Sequence, residues 1–371
     1  MAIPELQYRI ALTMMPSVGP VTARKIIKEF KSAGAFFKAS PERLEKIGRN
    51  GPRLATLPRS AKLLEKAGRE MEFLKKYRIT AHFFGDPGYP RRLNLCNDGP
   101  FLLYARGDQG LNPAKSLSVV GTRRATSYGR DLCRELIGGL ASRIPGLVIV
   151  SGLAYGIDVI AHRAALEFGL PTVAVLGHGL NTLYPASHHE TAVKIIGQGA
   201  LVTDFPSEMG PERNNFLRRN RIIAGMSDAT LVIESAEKGG ALITAHMAFS
   251  YDRPVYALPG RAEDQRSKGC NNLIKDHVAA MIESPEDLIE ALNWDAGEPR
   301  GQILIPEAEY THAEKRLLQA IDQDPGITPG RLCMQAGVPI QHILAMLLEM
   351  ELKGWVSSEP GNRYRVKISL G

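Results

Sequence analysis

Residues 116–129, Ser116-Leu117-Ser118-Val119-Val120-Gly121-Thr122-Arg123-Arg124-Ala125-Thr126-Ser127-Tyr128-Gly129, decide the reading of the whole chain. The first five are β-prone and mostly apolar without strict alternation, as in a strand covered on both faces. A glycine turn follows and opens into a helical pattern over residues 129–143. The same order recurs downstream. Continuous β-rich runs lie at residues 147–152, 171–177, 200–205, 229–235 and 254–260, with helical patterns at 157–168, 188–197, 215–226 and 241–251 between them. Strand–helix–strand repetition requires crossovers, which are right-handed and build a parallel sheet. The expected fold class is α/β, a Rossmann-like doubly wound and mostly parallel sheet over residues 80–292.

Outward from that core the pattern changes on both sides. Residues 1–79 carry apolar positions at helical spacing in ARKIIKEF, PERLEKIG and AKLLEKAGREMEFLKKY, separated by turns at Pro16, Gly19-Pro20, Gly34 and Gly51-Pro52. They read as a small helical domain of the SAM or helix–hairpin–helix kind. PSVGPVTARKI resembles half of such a hairpin, whose turn amides either meet a DNA phosphate or serve the fold alone. Residues 293–310 have Gly, Pro and acidic side chains without period and read as a linker. Residues 311–371 give two short helical patterns, a long one and a hairpin, the order of a winged helix. Its third helix carries Leu344, Leu347, Leu348 and Leu352 but only Lys353 as a base, which favours packing over reading a DNA groove.

With 371 residues the chain has room for two or three domains, and its 44% hydrophobic content is enough to bury real cores. No apolar run reaches the roughly 18–20 residues of a membrane span, and no signal-peptide pattern opens the chain, so a cytoplasmic protein without membrane contact is expected. Cys96, Cys133, Cys270 and Cys333 are scattered, with no CxxC and no histidine at zinc spacing; neither a disulfide framework nor a metal site is signalled. A net charge of +7 suits a polyanionic partner but does not by itself select one.

In a parallel sheet ligands sit beyond the carboxyl ends of the strands. The first such turn, Gly121-Thr122-Arg123-Arg124, offers close backbone approach, a hydroxyl and two guanidinium groups before a helix N-terminus, each favouring an anionic oxygen. It is not GxGxxG, which argues against a dinucleotide. The second turn, Ser151-Gly152-Leu153-Ala154-Tyr155-Gly156, is again glycine-permissive. His162, after it, reads as a packed or Asp-paired histidine rather than a base. A third turn, residues 177–185, ends on Tyr184 before a proline. The richest stretch is Gly210-Pro211-Glu212-Arg213-Asn214-Asn215-Phe216-Leu217-Arg218-Arg219-Asn220-Arg221, four arginines against one acid with an aromatic among them. Single-strand binders combine such charges with a ring on which a base stacks. Phe216 also fits a core residue at a helix start, and Arg219 and Arg221 also fit loop-tying roles. No P-loop, HExxH, GxSxG or carboxylate pair at a strand end is present, so no catalytic residues are assigned.

Taken in order, SVVGTRRATSYG, VSGLAYGIDVIAHRAAL, TVAVLGHGLNTLYP, FLRRNRIIAGMSDATLVIES, GGALITAHMA and ALPG…SKGCNNLI resemble the motifs of the DNA-processing protein A (DprA, or Smf) family. The resemblance implies a protein without catalytic centre or cofactor that binds single-stranded DNA in natural transformation. It implies protection of incoming strands, loading of the RecA recombinase and a homodimer through the Rossmann-like domain. By motif it places the phosphate-holding turn at Gly121, Thr122 and Arg123, and the basic and stacking positions at Arg213 and Phe216. Arg124, Ser151, Gly152, Asn215 and Arg219 complete the expected DNA-binding set. Two departures stand out: Arg213 replaces a lysine-like base, which alters geometry, and Gly239-Gly240-Ala241 replaces Ser-Gly-Ser, which removes two hydroxyls. Two other readings remain open. One is a Rossmann-like nucleotide-processing hydrolase, whose PGGxGTxxE signature is absent here; the other is a duplex-DNA regulator acting through the winged helix.

Overall fold

The computed structural model describes residues 3–16, 18–45, 59–107, 110–294, 303–304, 311–359 and 361–369. Strands β1 (Thr80–Phe83), β2 (Leu102–Arg106), β3 (Ser116–Val120), β4 (Val148–Ser151), β5 (Thr172–Val175), β6 (Ala200–Thr203), β7 (Ala229–Val232), β8 (Val255–Ala257) and β9 (Ala280–Met281) form one sheet. Their spatial order is β1–β2–β6–β5–β4–β3–β7–β8–β9. From β6 to β9 every pairing is parallel, as the strand–helix alternation requires. β2 joins β6 antiparallel, and β1 follows it antiparallel at the edge. The expected doubly wound sheet is present, with an antiparallel extension that the apolar runs did not announce.

Every residue of β3, β4, β5, β6 and β7 is buried, which explains their continuous apolar sequences. One face is covered by α7 (Ser127–Arg143), α8 (Ile157–Glu167) and α13 (Pro285–Ala291), around Leu136, Ile137, Ala161, Ala165 and Leu288. Also on the sheet lies α9 (His189–Gln198), with Ala192 and Ile195 in a smaller cluster beside it. The other face carries α10 (Arg213–Met226), α11 (Gly240–Ser250) and α12 (Lys268–Lys275), with Ile222, Ile223, Ala245, Ala248 and Leu273 inside. The chain winds outward from β3 through β4, β5 and β6, then returns to place β7 on the other side of β3. The direction of winding therefore switches between β3 and β7.

The N-terminal helices α1 (Glu5–Met14), α2 (Pro20–Phe30), α3 (Ala33–Lys38), α4 (Pro41–Glu45) and α5 (Ala61–Tyr77) share one cluster with β1 and β2. Ile10, Leu12, Ile26 and Phe36 pack there with Leu102 and Tyr104, so the helical module is built onto the sheet edge. Gly51-Pro52 and most of the 293–310 segment fall outside the described residues. Farther along, α14 (His312–Gln323), α15 (Pro329–Ala336) and α16 (Ile340–Leu352) lead to the antiparallel hairpin of strands 356–359 and 363–366, as a winged helix requires. Ile343, Leu347 and Met350 of α16 are buried, while Leu344, Leu348 and Leu352 face outward. No single described helix is long and apolar enough to cross a membrane.

Candidate nucleic-acid interface

A cavity of 390 Å³ opens at the carboxyl ends of β3 and β7, where the winding switches. Its walls come from the turn after β3 (Gly121, Thr122, Arg123, Arg124), from α10 (Phe216, Leu217, Arg219, Asn220) and from the start of α11 (Gly239, Gly240, Ala241). Segments more than a hundred residues apart in the chain meet here. The turn is tight because Gly121 has no side chain: a Cβ would sit 2.5 Å from Ile157 Cγ1 and 3.0 Å from the Glu234 carbonyl. The Glu234 carbonyl accepts the Thr122 N–H at 2.6 Å, and the Thr122 carbonyl accepts the Ile157 N–H at 3.1 Å. Arg123 and Arg124 are left exposed at the rim.

The helix N-terminus after this turn does not serve as the free anion site that its sequence suggests. Thr126 caps α7 by accepting the Gly129 N–H at 2.9 Å, and the Glu234 carboxylate takes the Thr126 N–H at 3.0 Å. An internal acid already occupies the positive end of that helix. The Thr122 hydroxyl accepts the Arg124 N–H at 3.2 Å, within its own turn. The open N-terminus is that of α11, across the cavity. Its cap residue, Gly239, makes no side-chain cap bond, and Gly240 is exposed with no heavy atom within 4 Å of a Cβ placed on it.

The second turn is also turned inward, which corrects two expectations. Ser151 is fully buried and donates its hydroxyl to the Val119 carbonyl at 2.6 Å, so it cannot reach a ligand. Gly152 is buried as well, and a Cβ on it would lie 1.8 Å from Arg219 Nη1 and 2.5 Å from Asp158 Oδ2. Burial pushes the Asp158 carboxyl up, while the neighbouring Arg219 charge and the amides of residues 154 and 152 pull it back. Arg219 is brought down to about 10 by the same burial, so it stays cationic at neutral pH. Its guanidinium donates to the Val175 carbonyl at 2.6 Å. Arg219 is thus an internal brace under the turns, a role its sequence left open, and not a side chain free to hold DNA. His162 is neutral and packed: burial lowers it to about 3, and its Nδ1 lies 2.7 Å from the Thr172 hydroxyl. That hydroxyl donates to the Ile149 carbonyl, so Nδ1 carries the proton. The partner is a threonine, not the aspartate considered above.

Along α10 the four arginines divide. Arg213 and Arg218 are exposed, whereas Arg219 and Arg221 are buried. Arg221 pairs with Asp204 and with the Asp98 carbonyl, so it ties loops together. Asn215 is 5% exposed and donates to the Gly210 carbonyl at 3.3 Å, which removes its side chain from the surface. Phe216 is half-buried. It backs onto Gly177, where a Cβ would come within 2.7 Å of the ring, yet its ring lines the cavity with the Arg123 guanidinium 5.7 Å from its centroid. Phe216 therefore packs along one edge against Gly177 and also lines the cavity.

Two contributors had no local signal. Arg266, in the loop before α12, donates to the Arg124 carbonyl at 2.8 Å and adds a further exposed cation to the rim. Glu70 of α5, 5% exposed, accepts the Ser207 N–H at 2.9 Å and its hydroxyl at 2.5 Å, pinning the loop that leads into Arg213. Gly239 also has a reason: a Cβ there would meet the Ser235 hydroxyl at 2.2 Å, so a serine would require Ser235 to move. Among the described residues no group of three or more His, Cys, Asp or Glu could hold a metal ion. Asp158 is the single carboxylate among the residues lining the cavity.

The family model described as DNA recombination-mediator protein A matches residues 80–293, and the DprA winged helix domain matches residues 306–362. Protein Smf of Escherichia coli (strain K12) is 37% identical over 284 residues, covering 75% of each chain. The structure of DNA processing protein A from Streptococcus pneumoniae superposes with a TM-score of 0.62 at 27% identity, over 78% of this chain and 98% of that one. DNA processing protein A from Helicobacter pylori, whose structure concerns its single-stranded DNA binding mode, gives a TM-score of 0.53 at 29% identity, over 59% and 97%.

Proposed function

The chain belongs to the DNA-processing protein A family, and from that membership and the geometry of its cavity we propose that it binds single-stranded DNA without sequence preference and without catalysing a reaction on it. The observation that carries the reading is the convergence at one switch-point cavity of Arg123, Arg124, the open N-terminus of α11 and the Phe216 ring, with Arg213 exposed one turn before Phe216 on α10. Guanidinium groups and helix amides take phosphate oxygens, and a ring takes any base through its π-face. Gly121 and Thr122 shape the phosphate-holding turn. A likeness supports the assignment, since the Helicobacter pylori relative binds single strands.

The same reading extends to protection of incoming strands and loading of RecA in the cytoplasm during natural transformation, by a homodimer formed through the Rossmann-like domain. Hydrolysis of a nucleotide would need an acid–base pair at the reacting atom. Asp158 is instead buried beside Arg219 and engaged by its own turn. Duplex reading by the winged helix is disfavoured because α16 turns Leu344, Leu348 and Leu352 outward, an apolar stripe suited to protein.

Affinity for a single-stranded oligonucleotide and for the matching duplex, each titrated with salt, tests the reading. Single-strand affinity should fall with a log–log slope of about 0.7 per neutralised phosphate. A flat salt response, or tighter binding to duplex, overturns it. Light scattering and a RecA pull-down on the full chain test the assembly, and a monomer that captures no RecA defeats that part.

A further inference from the structure

The turn after β5 places a second aromatic beside Phe216. Tyr184 is 46% exposed, and its ring centroid lies 5.7 Å from that of Phe216 at an interplanar angle of 48°. At that tilt the two rings do not stack on each other, and nearly half of Tyr184 is open to solvent. Its backbone is held rigidly. The Tyr184 N–H donates to Nε2 of the buried His178, whose Nδ1 lies 2.9 Å from the Gly179 carbonyl. Nε2 must then be the acceptor and Nδ1 the donor, which requires a neutral ring, and burial lowers the His178 pKa in that direction. In the turn after β4, Tyr155 is 47% exposed and packs edge-on against His188 at 5.1 Å. His188 is anchored in turn to the Leu153 carbonyl at 2.8 Å. Exposed rings on braced backbones lose little entropy when something covers them, and the Arg123 guanidinium beside Phe216 suits a polyanion.

We propose that Tyr184, with Tyr155 beyond it, extends the stacking surface begun by Phe216, so that unpaired bases run out of the cavity and across the turn after β5. This rests on the single-strand reading of the cavity. The charges hold the backbone on one side and the tyrosine faces receive successive bases, independent of sequence.

The experiment measures affinity for oligothymidylate with the full chain, as wild type and as Tyr184→Ala, Tyr184→Phe and Tyr155→Ala, across salt concentrations. Tyr184→Ala should weaken binding about 5- to 150-fold with an unchanged salt slope, and Tyr155→Ala should act in the same direction. Tyr184→Phe should bind as wild type, because stacking needs the ring and not the hydroxyl. Normal affinity in Tyr184→Ala overturns the proposal while leaving the cavity reading intact, and reassigns the tyrosines to a protein partner. Equal loss in Tyr184→Phe also overturns it, pointing to a hydroxyl hydrogen bond. A wild-type chain that does not bind oligothymidylate defeats the cavity reading itself. Should Tyr184→Ala melt early, Tyr184→Trp decides: its added fluorescence must be quenched by oligothymidylate, and an unquenched signal refutes stacking.

Discussion

A methyl group at Gly152 would collide with Arg219 and Asp158, and that crowding separates the residues that can touch a ligand from those that hold them in place. Arg123 and Arg213 are exposed, and replacing either with alanine should cost about 1.5–3 kcal/mol of single-strand binding. Each loss should also lower the salt slope by about 0.7. Phe216→Ala should cost about 1–3 kcal/mol with the slope unchanged. Because one edge of that ring packs against Gly177, its melting temperature should fall as well, and affinity must be read on the folded fraction. Affinity and melting curves on the three variants check this together. His162 carries a pH signature. Its folded pKa of about 3 lies below the ordinary histidine value. As pH falls below about 6.5 the unfolded chain takes a proton that the folded chain refuses, so this group removes stability, about 1.4 kcal/mol per pH unit until the folded pKa is reached. Above about 6.5 it contributes nothing. Urea unfolding between pH 7 and 4.5 should therefore show a slope smaller by one proton in His162→Gln than in wild type.

Among the elements, α10 is the one that joins fold to site. Its buried side carries Arg219, Arg221, Ile222 and Ile223 into the interior, and its outer side presents Arg213, Phe216 and Arg218. The approach to it is set from outside the sheet domain, because Glu70 on α5 holds Ser207 in the preceding loop. Glu70→Ala would leave the buried Ser207 N–H and hydroxyl without an acceptor, a cost of about 1–3 kcal/mol. The freed loop should also weaken single-strand binding, although Glu70 does not line the cavity. Chemical unfolding and oligonucleotide affinity on this variant check the coupling, and unchanged affinity would confine Glu70 to a stabilising role. The helical module is thereby tied to the loop that leads into α10.

For the whole molecule, the two ends of the sheet do different work. At the carboxyl ends lies the cavity. At the opposite end Arg92 meets Asp228 through paired bonds of 2.6 and 2.8 Å, and Asp228 also accepts the Ser116 N–H at 2.9 Å, all of it buried. This pair ties the short helix α6 (Arg91–Asn94) to the starts of β3 and β7. Removing one partner leaves the other charge buried alone, so Asp228→Ala should destabilise the fold by about 3–5 kcal/mol. Single-strand affinity of the folded protein should stay as in wild type, since the pair is a strand length away from the cavity. Denaturant midpoints and affinity below the transition test both halves of that statement.

The alternation of apolar strand runs with helical patterns determined the doubly wound sheet, and helical spacing its flanking helical units, because those properties are periodic and local. Local chemistry also singled out Arg123 and Phe216, which line the cavity. It did not reveal that Ser151, Asn215 and Arg219 face inward, since exposure at a turn depends on what the rest of the chain lays over it. Nor did it show that Glu234, more than a hundred residues later, would occupy the N-terminus of α7 and leave α11 as the open one. The antiparallel strands β1 and β2, the loop grip of Glu70 and the neighbourhood of Tyr184 and Phe216 are likewise products of long-range packing. They depend on which surfaces meet when the winding reverses, and no window of sequence contains both surfaces.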